Sequence, residues 1–339
     1  MPSPVRDQLA WLGEVSFRVS QVPRTKGDKQ FQIKGEAMAH SRFTEILYLD
    51  SDNVPVRDPT FLFDSPLYKE NGIVLWPDFA RDSPSNPIFR LFGVDCNPEE
   101  WTAETGQIVV NREGQRGMNQ AALLAAEAMQ RESSFWFKLS QGDKDTFRYS
   151  FAFLGIAYTP APHLLSAAGS TTADYVGIDG SEHTFCGHTM VQHGLSSAEW
   201  EGLEVNPDYE IPTDHAPPLF MHANMLKETR WLWVRDALGS KGWALIKTLT
   251  GKGWNYRKGN TFNQVKIATP DLVSSPTGST FLTDKIRYGV YKCRGAGTDL
   301  FTAGANEGGE GVRLVEFKDA WGGVLRDFED LFYSLKSTN

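Results

Sequence analysis

Short apolar runs alternate with helical patterns along much of the chain. The runs predict strands, the first of them a buried parallel strand, at Glu45–Leu49, Gly72–Trp76, Gln107–Asn111 and Pro217–His222. The helical patterns lie at Phe31–His40, Asn119–Arg131, Thr146–Ala157 and Phe317–Leu335. Strands that alternate with helices favour an α/β sheet, in which polar residues follow the carboxyl ends of strands, where ligands usually bind.

The spacing of these elements predicts three segments. Residues 1–30 are polar and irregular and are interpreted as an entry segment. Residues 31–235 hold most of the predicted strands and helices, and residues 236–339 are predicted to form a C-terminal extension packed on them. Between Pro160 and Pro218 the predicted elements are short, and glycines and histidines are frequent.

The charge and composition exclude some classes of protein. The 339 residues carry a formal net charge of -8 and no cluster of lysines and arginines, which argues against nucleic-acid binding. No apolar run approaches the ~20 residues that cross a bilayer, and Met1–Gln8 lacks the apolar core of a signal peptide. We therefore expect neither a transmembrane nor a signal segment. Three cysteines stand far apart without a CxxC pair, so no zinc or redox motif is indicated.

Two carboxylates follow the first predicted strand. Asp50 and Asp52 come directly after the apolar run that ends at Leu49, so both are expected at a strand end. Carboxylate oxygens suit a hard divalent cation such as Mg²⁺ or Mn²⁺, and such a cation can hold a departing diphosphate. A solvated acidic turn is the alternative for an Asp-x-Asp motif. The apolar strand and the distinctive sequence Asn53–Pro59 favour the metal site.

Four other clusters could carry chemistry. His222 ends a predicted strand and could supply a third metal ligand, with Lys227 as a phosphate partner. Asp143 and Asp145 flank Lys144 ahead of a predicted helix, so one acid could cap the helix and the other could take part in chemistry. The stretch Glu104–Gln107 precedes a strand and either lines the same pocket or forms a turn. The spaced histidines His183, His188 and His193 match no zinc pattern and either pack or shape a sugar pocket.

Several of these motifs together resemble one enzyme family. The stretch from Ile46 to Asp64, continuing to Leu75-Trp-Pro-Asp78, closely resembles the metal-binding region of the fungal α-1,2- and α-1,3-mannosyltransferases of glycosyltransferase family 71. Further blocks resemble that family in the same order: Glu104–Gln107, Gly142–Phe147, Phe185–His188, and Pro218–Asn224 with Lys227. The resemblance spans roughly residues 31–235, and the combination is more specific than any single block.

The resemblance implies a fold and a reaction. The fold is of the GT-A type, a Rossmann-like mixed sheet flanked by helices, with residues 31–235 as its catalytic domain. The reaction is the retaining transfer of mannose from GDP-mannose, with Mn²⁺ or Mg²⁺, to a mannose hydroxyl of a glycan in α-1,2 or α-1,3 linkage. The resemblance places the enzyme in protein or cell-wall mannan glycosylation, anchored in the membrane of the Golgi lumen. Other mannosyltransferases are expected partners in a complex.

The resemblance also assigns roles to individual residues. The implied metal ligands are Asp50, Asp52 and His222. The implied cofactor-binding residues are Asp50, Asp52, Lys34 and Lys227. The candidate catalytic residues near the anomeric carbon are Asp143, Asp145 and Gln107.

The length ahead of the metal motif departs from the family pattern. Only 49 residues precede Asp50, fewer than in GT-A enzymes, so we expect the first nucleotide-binding units to be partly missing.

Two rival functions remain open at the level of sequence. Haloacid-dehalogenase-like Mg²⁺-dependent phosphatases also place Asp-x-Asp after an apolar strand and use a later Gly-Asp pair, as at Gly142-Asp143. The strand expected just before that pair is missing here. A non-catalytic module that binds glycans or pairs with an active homologue would keep the metal and acceptor surfaces without turnover.

Overall fold

A long strand at the centre of the first sheet organises the structure, a computed structural model that describes residues 31–140, 142–172, 184–223, 266–270 and 312–328. This strand, β4, runs over Trp101–Asn111. The other strands of the first sheet are β1 (Glu45–Leu49), β3 (Ile73–Arg81) and β5 (Thr159–Pro160). Their order is β1-β4-β3-β5; β4 pairs antiparallel with β1 and β3, and β3 pairs parallel with β5.

Helices cover one face of this sheet. In chain order the described helices are α1 (Ile33–Ala39), α2 (Pro66–Asn71), α3 (Pro87–Phe92), α4 (Met118–Arg131), α5 (Ser133–Trp136) and α6 (Lys144–Leu154). Of these, α1, α4 and α6 cover this face, whereas Tyr68 of α2 packs on the opposite face with Val74 and Val109. The core beneath α1, α4 and α6 includes Met38, Leu123 and Phe147, packed on Ile108 and Val110 of β4. The mixed sheet flanked by helices confirms the predicted fold class.

A second sheet packs against the other face. Its strands are β2 (Asn53–Pro55), β6 (Ser166–Thr172), β7 (Thr184–His193), β8 (Pro218–His222), β9 (Lys266–Pro270) and β10 (Val312–Glu316). Their order is β10-β9-β6-β7-β8-β2. Trp76 of the first sheet meets Phe220 of β8 edge to face, with ring centroids 5.4 Å apart. This packing brings the ends of β1 and β8 together.

Four predictions of local structure were wrong. The strand Glu45–Leu49 forms as predicted, but it pairs antiparallel instead of parallel. Glu104–Gln107 lies within β4 and does not precede a strand. The region between Pro160 and Pro218, predicted to hold only short elements, contains strands β6 and β7, which are 7 and 10 residues long. The predicted helix Phe317–Leu335 begins instead as a kinked 3₁₀ helix, Phe317–Gly323, and residues 329–335 lie outside the described residues.

Backbone angles explain why the predicted helix Phe317–Leu335 does not begin as an α-helix. Trp321, Gly322 and Gly323 all have positive φ angles, which an α-helix does not tolerate in succession. Two adjacent glycines make such a turn inexpensive. Among the helices that the structure describes, none is both long enough and apolar enough to cross a membrane.

Three histidines pack together behind β8. The ring of His215 lies 4.3 Å, between centroids, from the rings of both His163 and His193. His193 is buried, and its two ring nitrogens contact Ser166 Oγ at 3.1 Å and the carbonyl oxygen of Ala216 at 3.2 Å. His193 therefore packs as a core residue, which was one of its two predicted roles. His183 lies outside the described residues.

This histidine cluster predicts a loss of stability in mild acid. Burial, and then the neighbouring His215, lower the pKa of His163 to about 4, and burial also lowers the pKa values of His193 and His215. An unfolded histidine titrates near 6.5. Below that pH these histidines are protonated in the unfolded chain but remain neutral in the folded chain. The free energy of unfolding therefore decreases as the pH falls from about 6.5 towards 4.

The measurement is the urea midpoint of unfolding at pH 6.5 and at pH 4.5. We expect a lower midpoint at pH 4.5 and a smaller difference between the two pH values in His163→Gln. If the midpoint differs between the two pH values by the same amount in the variant and in the parent chain, His163 does not cause the loss of stability in acid.

Candidate metal and donor site

Two carboxylates and one imidazole meet where the two sheets touch. Asp50 follows β1, Asp52 precedes β2, and His222 is the last residue of β8. One potential ligand atom of each lies within 4.8 Å of the others. Nε2 of His222 is 3.4 Å from Oδ2 of Asp52 and 3.9 Å from Oδ2 of Asp50. We call Asp50, Asp52 and His222 the acid cluster.

Backbone hydrogen bonds set the positions of the two aspartates. The backbone amide of Asp50 donates to the carbonyl oxygen of Gly106 at 2.8 Å. The backbone amide of Asn53 donates to the carbonyl oxygen of Asp50 at 2.9 Å. The second bond closes a tight turn around the motif. Asn53 then pairs with His222 in the ladder between β2 and β8, and the amide of Ala223 donates to the carbonyl oxygen of Asp52 at 2.9 Å. The chain therefore cannot move His222 away from the aspartates without breaking β2 from β8.

Glu104 fixes the other side of the imidazole. Its Oε1 lies 3.1 Å from Nδ1 of His222, and both of its carboxylate oxygens accept from the amide of Gly106 at 2.9 Å. A carboxylate behind a histidine orients the ring and directs Nε2 toward a metal. Burial opposes a charge on the ring, but Glu104 and Asp52 outweigh it and raise the pKa of His222 to about 10.

Gly106 leaves the space that this imidazole fills. A Cβ atom at residue 106 would lie 2.4 Å from Nδ1 of His222 and 3.0 Å from Oε2 of Glu104. Both distances are shorter than van der Waals contact. A glycine is therefore required in β4 at the point where β8 ends.

We expect Gly106→Ala to weaken Mn²⁺ binding and to lower the free energy of unfolding by about 1–3 kcal/mol, as overpacking usually does. Calorimetric titration with Mn²⁺ and urea unfolding measure the two effects. Gly93→Ala is the matched control, because Gly93 has open space around its Cα but a φ angle of +68°. It should lose about 1 kcal/mol of stability through backbone strain and retain its Mn²⁺ affinity. Unchanged Mn²⁺ affinity in Gly106→Ala would contradict the role of this contact.

Lys34 lies between the acid cluster and Asp143. Its ammonium group is 3.2 Å from Oδ2 of Asp50 and 3.0 Å from Oδ2 of Asp143, and it donates to the carbonyl oxygen of Thr105 at 2.9 Å. Burial opposes the charge of Lys34, but Asp143 and then Asp50 outweigh it and raise its pKa. The neighbouring Gly35 donates its amide to Oε1 of Gln130 at 2.8 Å, which holds α1 on α4.

The charges of this region favour a cation. Four carboxylates, those of Asp50, Asp52, Glu104 and Asp143, face two groups that carry positive charge, Lys34 and His222. All but Asp50 among the four acids are buried. Once the imidazole of His222 has given up its ring proton, two carboxylates and this imidazole, with the carboxylate of Glu104 behind it, form a donor set that fits a divalent cation such as Mn²⁺.

The three candidate catalytic residues lie in different surroundings. Asp143 is paired with Lys34 and so adjoins the acid cluster. Oε1 of Gln107 accepts from Nδ2 of Asn53 at 2.6 Å, and Nε2 of Gln107 is buried with no hydrogen-bond partner among the described residues. The predicted helix cap does not form, because Asp143 occupies the N-cap position of α6 without a side-chain cap bond.

Asp145 is held by other partners. Its Oδ1 accepts from the amide of Ala103 at 3.2 Å, and its Oδ2 accepts from Nζ of Lys144 at 2.7 Å. Lys144 also contacts Asp78 at 3.2 Å. These contacts join α6 to β3 and β4, so they stabilise the sheet edge beside the site.

The structure adds residues that the sequence did not single out. Glu104, Gly106 and Thr105 all contact members of the site, although sequence treated Glu104–Gln107 only as a pocket wall or a turn. Tyr48 donates its hydroxyl to Oδ1 of Asp50 at 2.7 Å. Its place two residues before Asp50 on the same strand was the available signal, because alternate residues share a face. Lys227 lies outside the described residues.

Comparison with known proteins finds mannosyltransferases that match part of the chain. Residues 11–100 match a protein family described as "Mannosyltransferase putative". The resemblance to the fungal α-mannosyltransferases is confirmed. The chain is 36% identical over 88 residues to the α-1,2-mannosyltransferase MNN24 of Candida albicans, a match that covers 25% of this chain and 12% of that protein.

Shorter matches extend the comparison. The chain is 51% identical over 63 residues to the α-1,2-mannosyltransferase MNN22 of Candida albicans (19% of this chain, 11% of that protein). It is 36% identical over 66 residues to the α-1,2-mannosyltransferase MNN2 of Saccharomyces cerevisiae (20% of this chain, 11% of that protein). The chain thus covers about an eighth of the length of these mannosyltransferases or less. The family match contains Asp50, Asp52 and Lys34, while Glu104, Asp143 and His222 lie beyond it.

Proposed function

We propose that this chain carries the metal and donor site of a retaining α-mannosyltransferase that uses GDP-mannose and Mn²⁺. The acceptor is a mannose hydroxyl of a glycan, and the linkage is α-1,2 or α-1,3. The observation that carries the proposal is the acid cluster, in which two strand-end aspartates and His222 converge with Glu104 behind the imidazole. The similarity to proteins named α-1,2-mannosyltransferases supports the type of reaction.

The acid cluster would hold a divalent cation that binds the donor diphosphate. Asp50, Asp52 and His222 would supply its protein ligands, and Mg²⁺ could replace Mn²⁺. When bound, the cation neutralises the charge that develops on the diphosphate as it departs. Lys34 lies beside Asp50 and adds a fixed positive charge at the same place. Lys227 remains a proposed phosphate partner.

The transfer step exchanges one bond for another at the anomeric carbon. The bond from that carbon to the diphosphate oxygen breaks, the acceptor hydroxyl oxygen bonds to the carbon, and the hydroxyl proton passes to the departing diphosphate. The contacts favour Asp143 and Gln107 over Asp145 as groups near this carbon. Asp143 adjoins the acid cluster through Lys34, whereas Asp145 is engaged by Ala103 and Lys144.

The rival phosphatase reading lacks structural support. Its pattern needs a strand directly before the pair Gly142-Asp143, and the described residues 133–140 form a short helix and turns. The glycan-binding module remains a second candidate, because the acid cluster would bind a metal and a sugar with or without turnover.

A location in the Golgi lumen, work in protein or cell-wall mannan glycosylation, and complexes with other mannosyltransferases belong to the same proposal. The similarity to proteins named mannosyltransferases supports the work in glycosylation.

The experiment is an assay of GDP release from GDP-mannose by the purified chain with Mn²⁺, with and without α-mannobiose. We expect release that depends on both the metal and the acceptor, and its loss on chelation with EDTA. A version of the chain extended at its N-terminus is assayed in parallel. Metal-dependent sugar binding without release in either version would favour the glycan-binding module over the transferase.

A further inference from the structure

A cavity of about 600 Å³ is lined by the residues of β4 that directly precede Glu104, and it belongs to none of the roles assigned above. Its wall includes Thr102 and Ala103 of β4, and the next residue of that strand is Glu104. A strand rises about 3.4 Å per residue, so Trp101 at the far side of the cavity stands about 10 Å along β4 from Glu104. The cavity volume falls in the range of small-molecule sites.

Aromatic rings and charged groups share this wall. Trp101 and Tyr158 line the cavity and are partly exposed. Arg81 and Arg148 line it together with Glu99 and Glu100. A wall of this kind offers flat apolar faces and several strong hydrogen-bonding groups within one space.

The indole of Trp101 is held in place before any ligand arrives. The guanidinium of Arg81 stacks on it at 5.0 Å from the ring centroid. Arg81 also donates to the carbonyl oxygen of Pro98 at 2.6 Å and to Oε2 of Glu99 at 2.9 Å. Arg81 covers one face of the fixed ring, so the opposite face is the preorganised platform, and a ligand that stacks on that face loses little binding energy to ordering the protein.

The charges of the wall cancel. Arg81 pairs with Glu99, and Arg148 lies 3.4 Å from Glu100 and also pairs with Asp82. The surroundings of the acid cluster have an excess of carboxylates instead. An anionic ligand would have to displace Glu99 or Glu100 from its arginine, so the wall favours a neutral ligand with many hydroxyl groups.

We propose that this cavity binds the neutral acceptor glycan, with the indole of Trp101 as the stacking surface for one sugar ring. Carboxylates and guanidiniums stand at several places around the cavity. They match a sugar, which carries hydroxyls on all sides, better than a nucleobase, which carries its polar groups on one edge. This proposal rests on the proposed function for the identity of the sugar as mannose.

The test measures binding of α-mannobiose to the chain without Mn²⁺ or donor, followed by ligand-observed NMR. Such binding does not depend on turnover, so it separates failure of this proposal from failure of the proposed function. We expect binding by the parent chain that Trp101→Ala weakens by at least about tenfold, a change of about 1.4 kcal/mol. Trp101→Phe should retain part of the affinity, because a smaller ring still stacks.

Two control variants and one competing probe complete the experiment. Phe43→Ala removes an aromatic ring that is 55% exposed and lies outside the cavity, and it should bind α-mannobiose like the parent chain. Phe135→Ala, which removes a second aromatic ring that is 50% exposed and lies outside the cavity, should also retain binding. Circular dichroism verifies that each variant is folded.

Three results would overturn the proposal. The first is no binding of α-mannobiose by the folded parent chain. The second is equal binding by Trp101→Ala, which would place the sugar elsewhere. The third is displacement of α-mannobiose by guanosine with a similar loss of guanosine binding in Trp101→Ala, which would assign the cavity to the donor base.

Discussion

Replacing Asp52 by alanine is expected to abolish tight Mn²⁺ binding and, with it, acceptor-dependent release of GDP. Asp52 is buried and lies 3.4 Å from Nε2 of His222, so its loss removes one of the three cluster ligands without opening the sheet. Removing a direct ligand should weaken Mn²⁺ binding by more than ~100-fold, which is the largest loss of affinity usual when a residue that only orients a ligand is replaced. A metal supplies several kcal/mol to the departure of a charged group, and each 1.36 kcal/mol is about tenfold in rate.

Calorimetric titration with Mn²⁺ and the GDP-release assay give the two readouts for Asp52→Ala. Asp64→Ala is the matched control, because Asp64 is an exposed aspartate whose carboxylate pairs with the exposed Lys69. It should bind Mn²⁺ and release GDP like the parent chain. If a folded Asp52→Ala keeps its Mn²⁺ affinity, the metal is held elsewhere and the acid cluster has another role.

Replacing Glu104 by glutamine should weaken Mn²⁺ binding by about 10–100-fold while leaving all three cluster ligands present. The carboxylate of Glu104 accepts from the amide of Gly106 with both oxygens and lies 3.1 Å from Nδ1 of His222. An amide has one accepting oxygen, so it cannot serve both neighbours as the carboxylate does. The imidazole then loses its fixed orientation.

The measurement for Glu104→Gln is Mn²⁺ affinity by calorimetry together with the NMR titration of His222 in the metal-free chain. Since Glu104 is the main group that raises the pKa of His222, that pKa should fall from about 10 towards its ordinary value. Glu70→Gln, at an exposed position of α2, should change neither quantity. A variant with lower Mn²⁺ affinity but an unchanged His222 pKa would show that Glu104 acts through folding and not through the imidazole.

The strands and helices nearest the site followed from local sequence. The apolar run Glu45–Leu49 and the alanine-rich pattern around α4 each have one clear periodicity, so both elements form within a residue or two of their predicted bounds. The run at the end of β8 behaved in the same way. These segments bury apolar side chains on at least one face, and this burial requires a regular spacing of apolar residues that can be recognised from the local sequence.

Pairing and long-range contacts did not follow from local sequence. The direction of β1 depends on its neighbour β4, which lies more than fifty residues away. The contact between His222 and Glu104 spans 118 positions and depends on a glycine whose role is to leave space. Periodicity carries no signal for such a contact. The acids Asp50 and Asp52 were recognisable because they directly follow a strand, whereas Glu104 was hidden inside one.

Lys34 shows that a residue can be assigned to a site from sequence although its ion-pair partners cannot. The sequence assigned Lys34 to the donor and Asp143 to the anomeric carbon as separate residues. The structure joins them at 3.0 Å, so Lys34 links Asp143 to Asp50. The packing of α1 on α4, which depends on the absence of a side chain at Gly35, creates this link.

The most direct test is pulsed electron paramagnetic resonance of Mn²⁺ bound to the purified chain in the presence of GDP. We predict hyperfine coupling from one histidine nitrogen, which His222→Ala removes, together with coupling from the diphosphate phosphorus. A spectrum with phosphorus coupling but no nitrogen coupling, unchanged in His222→Ala, would contradict the assignment of the acid cluster as the metal and donor site.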